Sequence, residues 1–382
     1  MVLIDATPLQ SEHRVRGVGH YLLELIRAGE ELGMRPVYVA SSWGKESALP
    51  DFVPKERLLA APRPHKPAQV YWMYNEFFLR YALLRARPKV FFAPDFNGLV
   101  LNPFGRTVAT LYDLTPFKLG DLGDPFSAAR WRTYARRLKR ADHLLAISSS
   151  AKQDALRLLG IPPERVTVAP LAVNHRRFKP SVGRGRYAGA GRYLLHGGAF
   201  NPNKNQAGLL QAFARVAPHH PGLELHFFGP WAPEQLEWLV RQRQRLGLGE
   251  RVRHLGYIAA EDLPSLYGNA AAFVFPSLEE GFGLPVLEAM ASGAPVITSD
   301  CSSLPEAAGE AGLLVDPRDP EAIAAAIRRV LEEPGLAEAL RQKGYVQAAR
   351  FTWEATARKT WEVLLGQRHG EDEKQPYALE DV

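Results

Sequence analysis

Two glutamates, Glu280 and Glu288, flank a glycine turn inside the stretch 272–300. Between them run Gly281, Phe282, Gly283, Leu284, Pro285, Val286 and Leu287. An ionised carboxylate accepts hydrogen bonds and donates none, so a pair of them suits hydroxyl groups. A glycine turn that opens a helix suits the opposite charge, because free N–H groups and the positive end of the helix dipole favour phosphate. A ligand with a diphosphate in its middle and hydroxyl-bearing rings on both sides meets both demands. A nucleotide sugar has that layout. A second phosphate-directed element lies upstream: Gly197-Gly198-Ala199-Phe200-Asn201-Pro202-Asn203-Lys204-Asn205, a glycine turn and a lysine ahead of a helical run through Leu209, Leu210 and Phe213.

The elements that must hold these residues alternate. In the first half, 2–5, 36–40, 90–93, 107–112, 143–147 and 166–169 read as short apolar strands, and 19–32, 126–140 and 151–159 as helices. In the second half 193–196, 223–227, 252–255, 272–276 and 295–298 read as strands. Strands alternating with helices predict α/β domains built on doubly wound parallel sheets, which bind ligands beyond the carboxyl ends of their strands. Around the glutamates, Pro285 is expected as the first helical residue, Val286, Leu287 and Met290 as an apolar stripe, and Gly293 with Pro295 as the stop. Both turn glycines are expected to allow close backbone approach and positive φ. The segment 71–78, YWMYNEFF, reads first as a helix with a core face and second as an acceptor-binding wall.

At 382 residues the chain should form two domains, since one core seldom grows past about 300 residues. The division expected is an N-terminal domain over 1–180, a glycine- and arginine-rich linker over 181–192, a C-terminal domain over 193–350 and a final helix with a frayed tail over 351–382. One cysteine, Cys301, excludes a disulfide framework and a cysteine-built zinc site. No apolar run approaches the roughly 20 residues that span a bilayer. The start reads as a strand, not a signal peptide, which favours the cytoplasm. Residues 1–180 carry 27 Lys and Arg against 16 Asp and Glu, and the remainder 20 against 25. A basic first half fits an anionic acceptor or a peripheral place on the inner face of a membrane, and equally a solvated surface. Within it, 130–140 sets Arg132, Arg136 and Arg140 on one face and Trp131, Ala135 and Leu138 on another. The histidines are scattered, so no metal site is read, and nothing points to nucleic acid.

The run EGFGLPVLEA resembles the paired-glutamate motif of the retaining GT-B glycosyltransferases of family four, the glycosyl transferases group 1. Other segments are similar to the same family: Gly17-Val18-Gly19 opening a helix, with His20 where the pattern has Arg; Tyr112-Asp113-Leu114-Thr115-Pro116, with Tyr112 where the pattern has His; Lys204-Asn205; and Leu255-Gly256-Tyr257-Ile258. The Arg that many relatives carry just before the lysine is replaced by Gly198 and Ala199. The resemblance implies two Rossmann-like domains with a cleft between them. It implies catalytic roles for Glu280, Lys204 and Asp113. It implies a donor set of Gly17, Gly19, Gly198, Asn203, Lys204, Tyr257, Ile258, Glu280, Gly281, Phe282, Gly283, Leu284, Val286 and Glu288. Glu280 would hold sugar hydroxyls, Glu288 the ribose, Lys204 and the helix start near Val286 the diphosphate, and Tyr257 and Ile258 the base.

The function implied is transfer of a hexose of mannose or glucose type, with retention, from a GDP- or UDP-sugar to a hydroxyl on a glycan, a lipid-linked sugar or a small molecule. No cofactor is demanded. A binding protein of the same fold with little turnover is the alternative. An NAD-dependent oxidoreductase is disfavoured, because G-x-G-x-x-G with a following acid is missing after the first strand.

Overall fold

In the first half, four-residue apolar runs such as Val90–Ala93 are buried at every position, which is the pattern of a strand covered on both faces. Seven strands, β1 (Val2–Asp5), β2 (Val37–Ser41), β3 (Leu58–Ala61), β4 (Val90–Ala93), β5 (Arg106–Leu111), β6 (His143–Ala146) and β7 (Val166–Val168), form one sheet in the order β3-β2-β1-β4-β5-β6-β7. In the second half β8 (Tyr193–Gly197), β9 (Glu224–Phe228), β10 (Val252–His254), β11 (Ala272–Phe275), β12 (Val296–Ser299) and β13 (Gly312–Val315) form another, in the order β10-β9-β8-β11-β12-β13. Paired strands run parallel in both sheets, for example Ala272 against Leu194 and Phe273 against Val296. The computed structural model describes residues 1–10, 17–41, 49–50, 52–61, 68–120, 124–180, 185, 187 and 191–367.

Each strand order reverses direction once, between β1 and β4 in the first sheet and between β8 and β11 in the second. β3 has no counterpart among the sequence expectations. Leu58–Ala61 is short and rich in helix formers, and its strand state comes from pairing along β2, Tyr38 opposite Leu58 through Ser41 opposite Ala61. The aromatic segment falls in the helix Ala68–Ala86. The side chains of 68–75 lie outside the described set; beyond them Phe78 is buried and Phe77 is 76% exposed.

The chain divides into two units, Met1–Leu171 with Trp353 onward, and Ala172–Thr352. The change thus falls earlier than the expected position 180. Residues after 171 are tied into the second unit: the Val173 amide bonds the Phe351 carbonyl at 3.3 Å, and the buried Phe178 ring lies 6.3 Å from Tyr267. The expected linker falls largely outside the described residues. In the first unit the last helix, Trp353–Leu365, packs on the helix Gly17–Glu31. Trp361 lies so close to Gly29 that a Cβ there would sit 2.9 Å from the indole nitrogen. The Thr356 hydroxyl donates to the Pro170 carbonyl at 2.7 Å.

Candidate active site

Where a parallel sheet reverses its order, the two neighbouring strands send their chains to opposite sides and leave a crevice beyond their carboxyl ends. In the second unit those strands are β8 and β11. Lys204 lies in the turn that leaves β8, and Glu280 in the turn that leaves β11. The topology alone therefore brings these two residues, 76 positions apart, to one place. Lys204 Nζ sits 2.5 Å from Glu280 Oε1, with 22% and 13% of the two side chains exposed. The Phe275 ring, at the end of β11, lies 4.9 Å from the same ammonium, a cation–π contact on its apolar side.

Both turns are braced. Asn201 caps the short turn Pro202–Lys204 by accepting from the Asn203 amide at 2.9 Å. The Asn203 carbonyl then accepts the Leu278 amide at 2.7 Å, joining one turn to the other. Asn205 has φ +54, donates to the carbonyls of Pro276 and Pro317, and caps the helix Gln206–Val216. On the β11 side, the Thr298 hydroxyl donates to Phe275 and the Ser299 hydroxyl to Ser277, at 2.9 and 2.6 Å. Ser302 holds the peptide at Glu280: its hydroxyl accepts from the Glu280 amide at 2.9 Å and faces the Glu280 carbonyl at 2.7 Å. The Ser303 hydroxyl donates to that carbonyl at 3.0 Å. Asn205, Ser302 and Ser303 carried no role in the sequence reading. The available signal was side-chain oxygens and amides next to turns, which compete for backbone groups.

The helix Leu284–Ser292 starts one residue earlier than expected, so Pro285 is its second residue. Gly283 is its N-cap, in the left-handed region at φ +104, and a Cβ there would meet Leu304 at 2.8 Å. Phe282 is buried and packs edge-on against Phe351. The Val286 amide bonds the Gly283 carbonyl at 2.9 Å, and Pro285 has no N–H. The helix start near Val286 therefore offers fewer donors to an anion than an ordinary first turn.

Glu288 projects from this helix toward Tyr267 and Arg177. Burial pushes its carboxyl up to about 8, against the pull of the Arg177 charge and the Tyr267 hydroxyl. The Tyr267 hydroxyl is itself raised well above its ordinary value by burial and by Glu288. Beneath the Lys204 turn, His196 is buried with Nδ1 donating to the Val274 carbonyl at 2.9 Å. Burial lowers its imidazole to about 4, so it is neutral at ordinary pH. Gly198 has φ +125, and its carbonyl accepts from the Trp231 indole at 3.1 Å. Of the base candidates, Tyr257 is 77% exposed and the Ile258 side chain is buried.

Gly17, Gly19 and Asp113 belong to the first unit. Gly17 is exposed at the start of the helix Gly17–Glu31, with nothing within 4 Å of the place a Cβ would take, and Gly19 is buried one half-turn on. Asp113 follows β5, and its Oδ1 accepts the Thr115 amide at 3.0 Å, so one oxygen caps the helix Thr115–Leu119. Tyr112 stands where the family pattern has His. Its hydroxyl donates to the Pro94 carbonyl at 2.7 Å, and its ring packs edge-on to Tyr21. The one proton of this phenol is thus committed to the backbone. Among the described residues no three His, Cys, Asp or Glu side chains are grouped as a metal would require.

Comparison with known proteins decides the family. The model described as Glycosyltransferase Family 4 matches residues 15–177, and that described as Glycosyl transferases group 1 matches 187–347. The O-antigen chain mannosyltransferase B of Escherichia coli is 31% identical over 387 residues, covering 94% of this chain and 98% of the relative. The chain is a family 4 glycosyltransferase. This glycosyltransferase is also 32% identical over 240 residues to the MMP alpha-(1->4)-mannosyltransferase of Mycolicibacterium hassiacum, covering 60% of this chain and 56% of that one. Among solved structures, the sucrose-phosphate synthase of Thermosynechococcus elongatus superposes with a TM-score of 0.74 at 22% identity over 96% of this chain and 98% of that one. Anabaena HepE, solved with UDP and glucose, does so at 0.74 and 18%, over 96% and 99%. The fold of this glycosyltransferase is therefore GT-B, with Lys204 and Glu280 meeting at the switch point of its C-terminal sheet.

Proposed function

We propose that this glycosyltransferase moves a hexose of mannose or glucose type, with retention, from a GDP- or UDP-sugar to a hydroxyl acceptor in the synthesis of a cell-surface polysaccharide, a glycolipid or a small glycoside. The observation that carries the reading is the meeting of Lys204 and Glu280, a cation for a diphosphate beside an acceptor for sugar hydroxyls. The mannosyltransferase relative supports the sugar class, and the neighbours solved with UDP or UDP-glucose support a nucleotide-sugar donor. Glu280 receives the hexose hydroxyls, and Glu288 the ribose. Lys204, with the helix start near Val286, balances the charge that grows on the leaving phosphate. The bond from the anomeric carbon to the phosphate oxygen breaks, and a bond to the acceptor oxygen forms. The acceptor's proton passes to a donor phosphate oxygen on the same face of the sugar. The donor set also includes Gly17 and Gly19, and the catalytic set Asp113, all of the N-terminal half.

The acceptor reading extends to an anionic membrane surface that this glycosyltransferase meets peripherally. The helix Pro125–Arg140 exposes Arg132, Arg136 and Arg140. Arg137 joins it through Glu76, at 2.6 Å, to the helix Ala68–Ala86, whose outer face shows Phe77, Tyr81 and Leu84. An apolar stripe beside a row of arginines matches an interface of acyl chains and anionic headgroups. No helix among the described residues is long and apolar enough to cross a membrane.

The test of the donor site is binding. UDP, GDP and their hexose derivatives at millimolar concentration should raise Tm by several degrees for one base. Lys204→Ala should weaken the nucleoside diphosphate, and Glu280→Ala should cut transfer by about 100-fold or more without weakening the nucleotide. Normal transfer by both variants would sink the assignment. For the surface, vesicles of phosphatidylcholine with phosphatidylglycerol should sediment the protein, and Phe77→Ser with Arg132→Glu should release it. Equal recovery of wild type and variant with neutral and anionic vesicles would remove membrane contact from the reading.

A further inference from the structure

The proposed roles of Lys204 and Glu280 conflict with their geometry. Each is to hold a different part of the donor, yet each already holds the other at 2.5 Å. The two partners are not equally free to move. The Glu280 peptide is held by Ser302 and Ser303, and the loop behind it by Thr298 and Ser299. Lys204 reaches its partner along a flexible stem lying against Gly198 and the Phe275 ring. Any ligand phosphate that takes the ammonium must draw it from a carboxylate whose backbone is held.

An intact nucleotide sugar compensates both halves of the broken pair. Its phosphate replaces the carboxylate on Lys204, and its hexose hydroxyls replace the ammonium on Glu280. A free nucleoside diphosphate compensates one half only. It leaves the Glu280 carboxylate, 13% exposed, without its cation and facing an added anion.

We propose that the Lys204–Glu280 pair is a latch that discriminates intact donor from spent nucleotide: it opens for a nucleotide sugar and re-closes once the hexose has left, speeding release of the nucleoside diphosphate. Glu280 thus acts as a specificity residue against product as well as a sugar-binding group. The inference rests on the donor-site assignment above, and the experiment separates the two.

Binding of UDP, GDP, UDP-glucose and GDP-mannose is measured by calorimetry for wild type, Glu280→Gln, Glu280→Asp and the double variant Lys204→Ala/Glu280→Gln, with folding checked by Tm. With the carboxylate charge removed, Glu280→Gln should bind the nucleoside diphosphate of the preferred base about three- to tenfold more tightly than wild type, the size expected from releasing one partly exposed ion pair. Its preference for the sugar nucleotide over the bare diphosphate should shrink or invert. Glu280→Asp, with a shorter carboxylate, should fall between. The double variant should lose the gain, because the freed ammonium is what the diphosphate meets. Glu280→Gln binding the diphosphate no better than wild type, while wild type binds both ligands, would overturn the latch and leave the donor site standing. An equal gain in the double variant would also overturn it. Failure of wild type to bind any of the four ligands would overturn both.

Discussion

Glu288 combines a polar task with a partly buried place. Its carboxyl is pushed up to about 8, chiefly by burial. The folded state therefore holds a proton that the unfolded chain, near 4.5, has released. This group contributes stability that is fully present below the unfolded value and is lost as pH rises through about 8. Glu288→Gln stays neutral throughout. The Tm difference between Glu288→Gln and wild type should grow from near zero at about pH 5 to several degrees at about pH 9, followed by scanning calorimetry. A constant difference across that range would show that the carboxyl is not held protonated. The candidacy of Glu288 as a site residue was legible from EGFGLPVLEA. Its protonation was not, because the groups that set it, Tyr267 and Arg177, are supplied by separate parts of the chain.

Elements determine how tightly the donor turns approach each other. Gly229, which follows β9, has φ +131, and a Cβ there would lie 2.3 Å from the Gly198 carbonyl oxygen. Backbone cannot yield as a side-chain end can. Gly229→Ala should cost about 1–3 kcal/mol and weaken nucleoside diphosphate binding by shifting the turn ahead of Lys204, read by urea denaturation and calorimetry. Unchanged affinity at reduced stability would place the Gly198 turn outside the donor contacts. At this scale strands were legible where apolar runs were continuous, as in Val90–Ala93 and Ala272–Phe275. The strand at Leu58–Ala61 was not legible, because its partner strand decides it, and neither was the turn bond that takes up the Val286 amide at a helix start.

At the scale of the molecule, the chain leaves its first unit at Leu171 and rejoins it at Trp353. Trp361 is 5% exposed and fills the space that Gly29 leaves. Trp361→Ala should destabilise the first unit by about 3–5 kcal/mol. Thermal unfolding followed by near-UV circular dichroism should then lose cooperativity, with nucleotide binding in the second unit persisting above the first transition. A single transition that moves as a whole would show that the two units unfold together. The two-sheet architecture followed from strand–helix alternation and length. The exact membership of 172–180 did not, since it depends on contacts such as Phe178 with Tyr267.

The sequence by itself determined the fold class, the family and the candidate residues of the proposed donor site, because periodicity, glycine turns and the spacing of Glu280 and Glu288 are local properties of the chain. Only the tertiary structure decided that Lys204 and Glu280 pair with each other. It also decided that Ser302 and Ser303 fix the glutamate, and that the Tyr112 proton goes to Pro94. The physical reason is the reversal of strand order between β8 and β11, which brings together turns that are far apart in sequence. Charge, burial and hydrogen bonding at such a point depend on neighbours that no local pattern records.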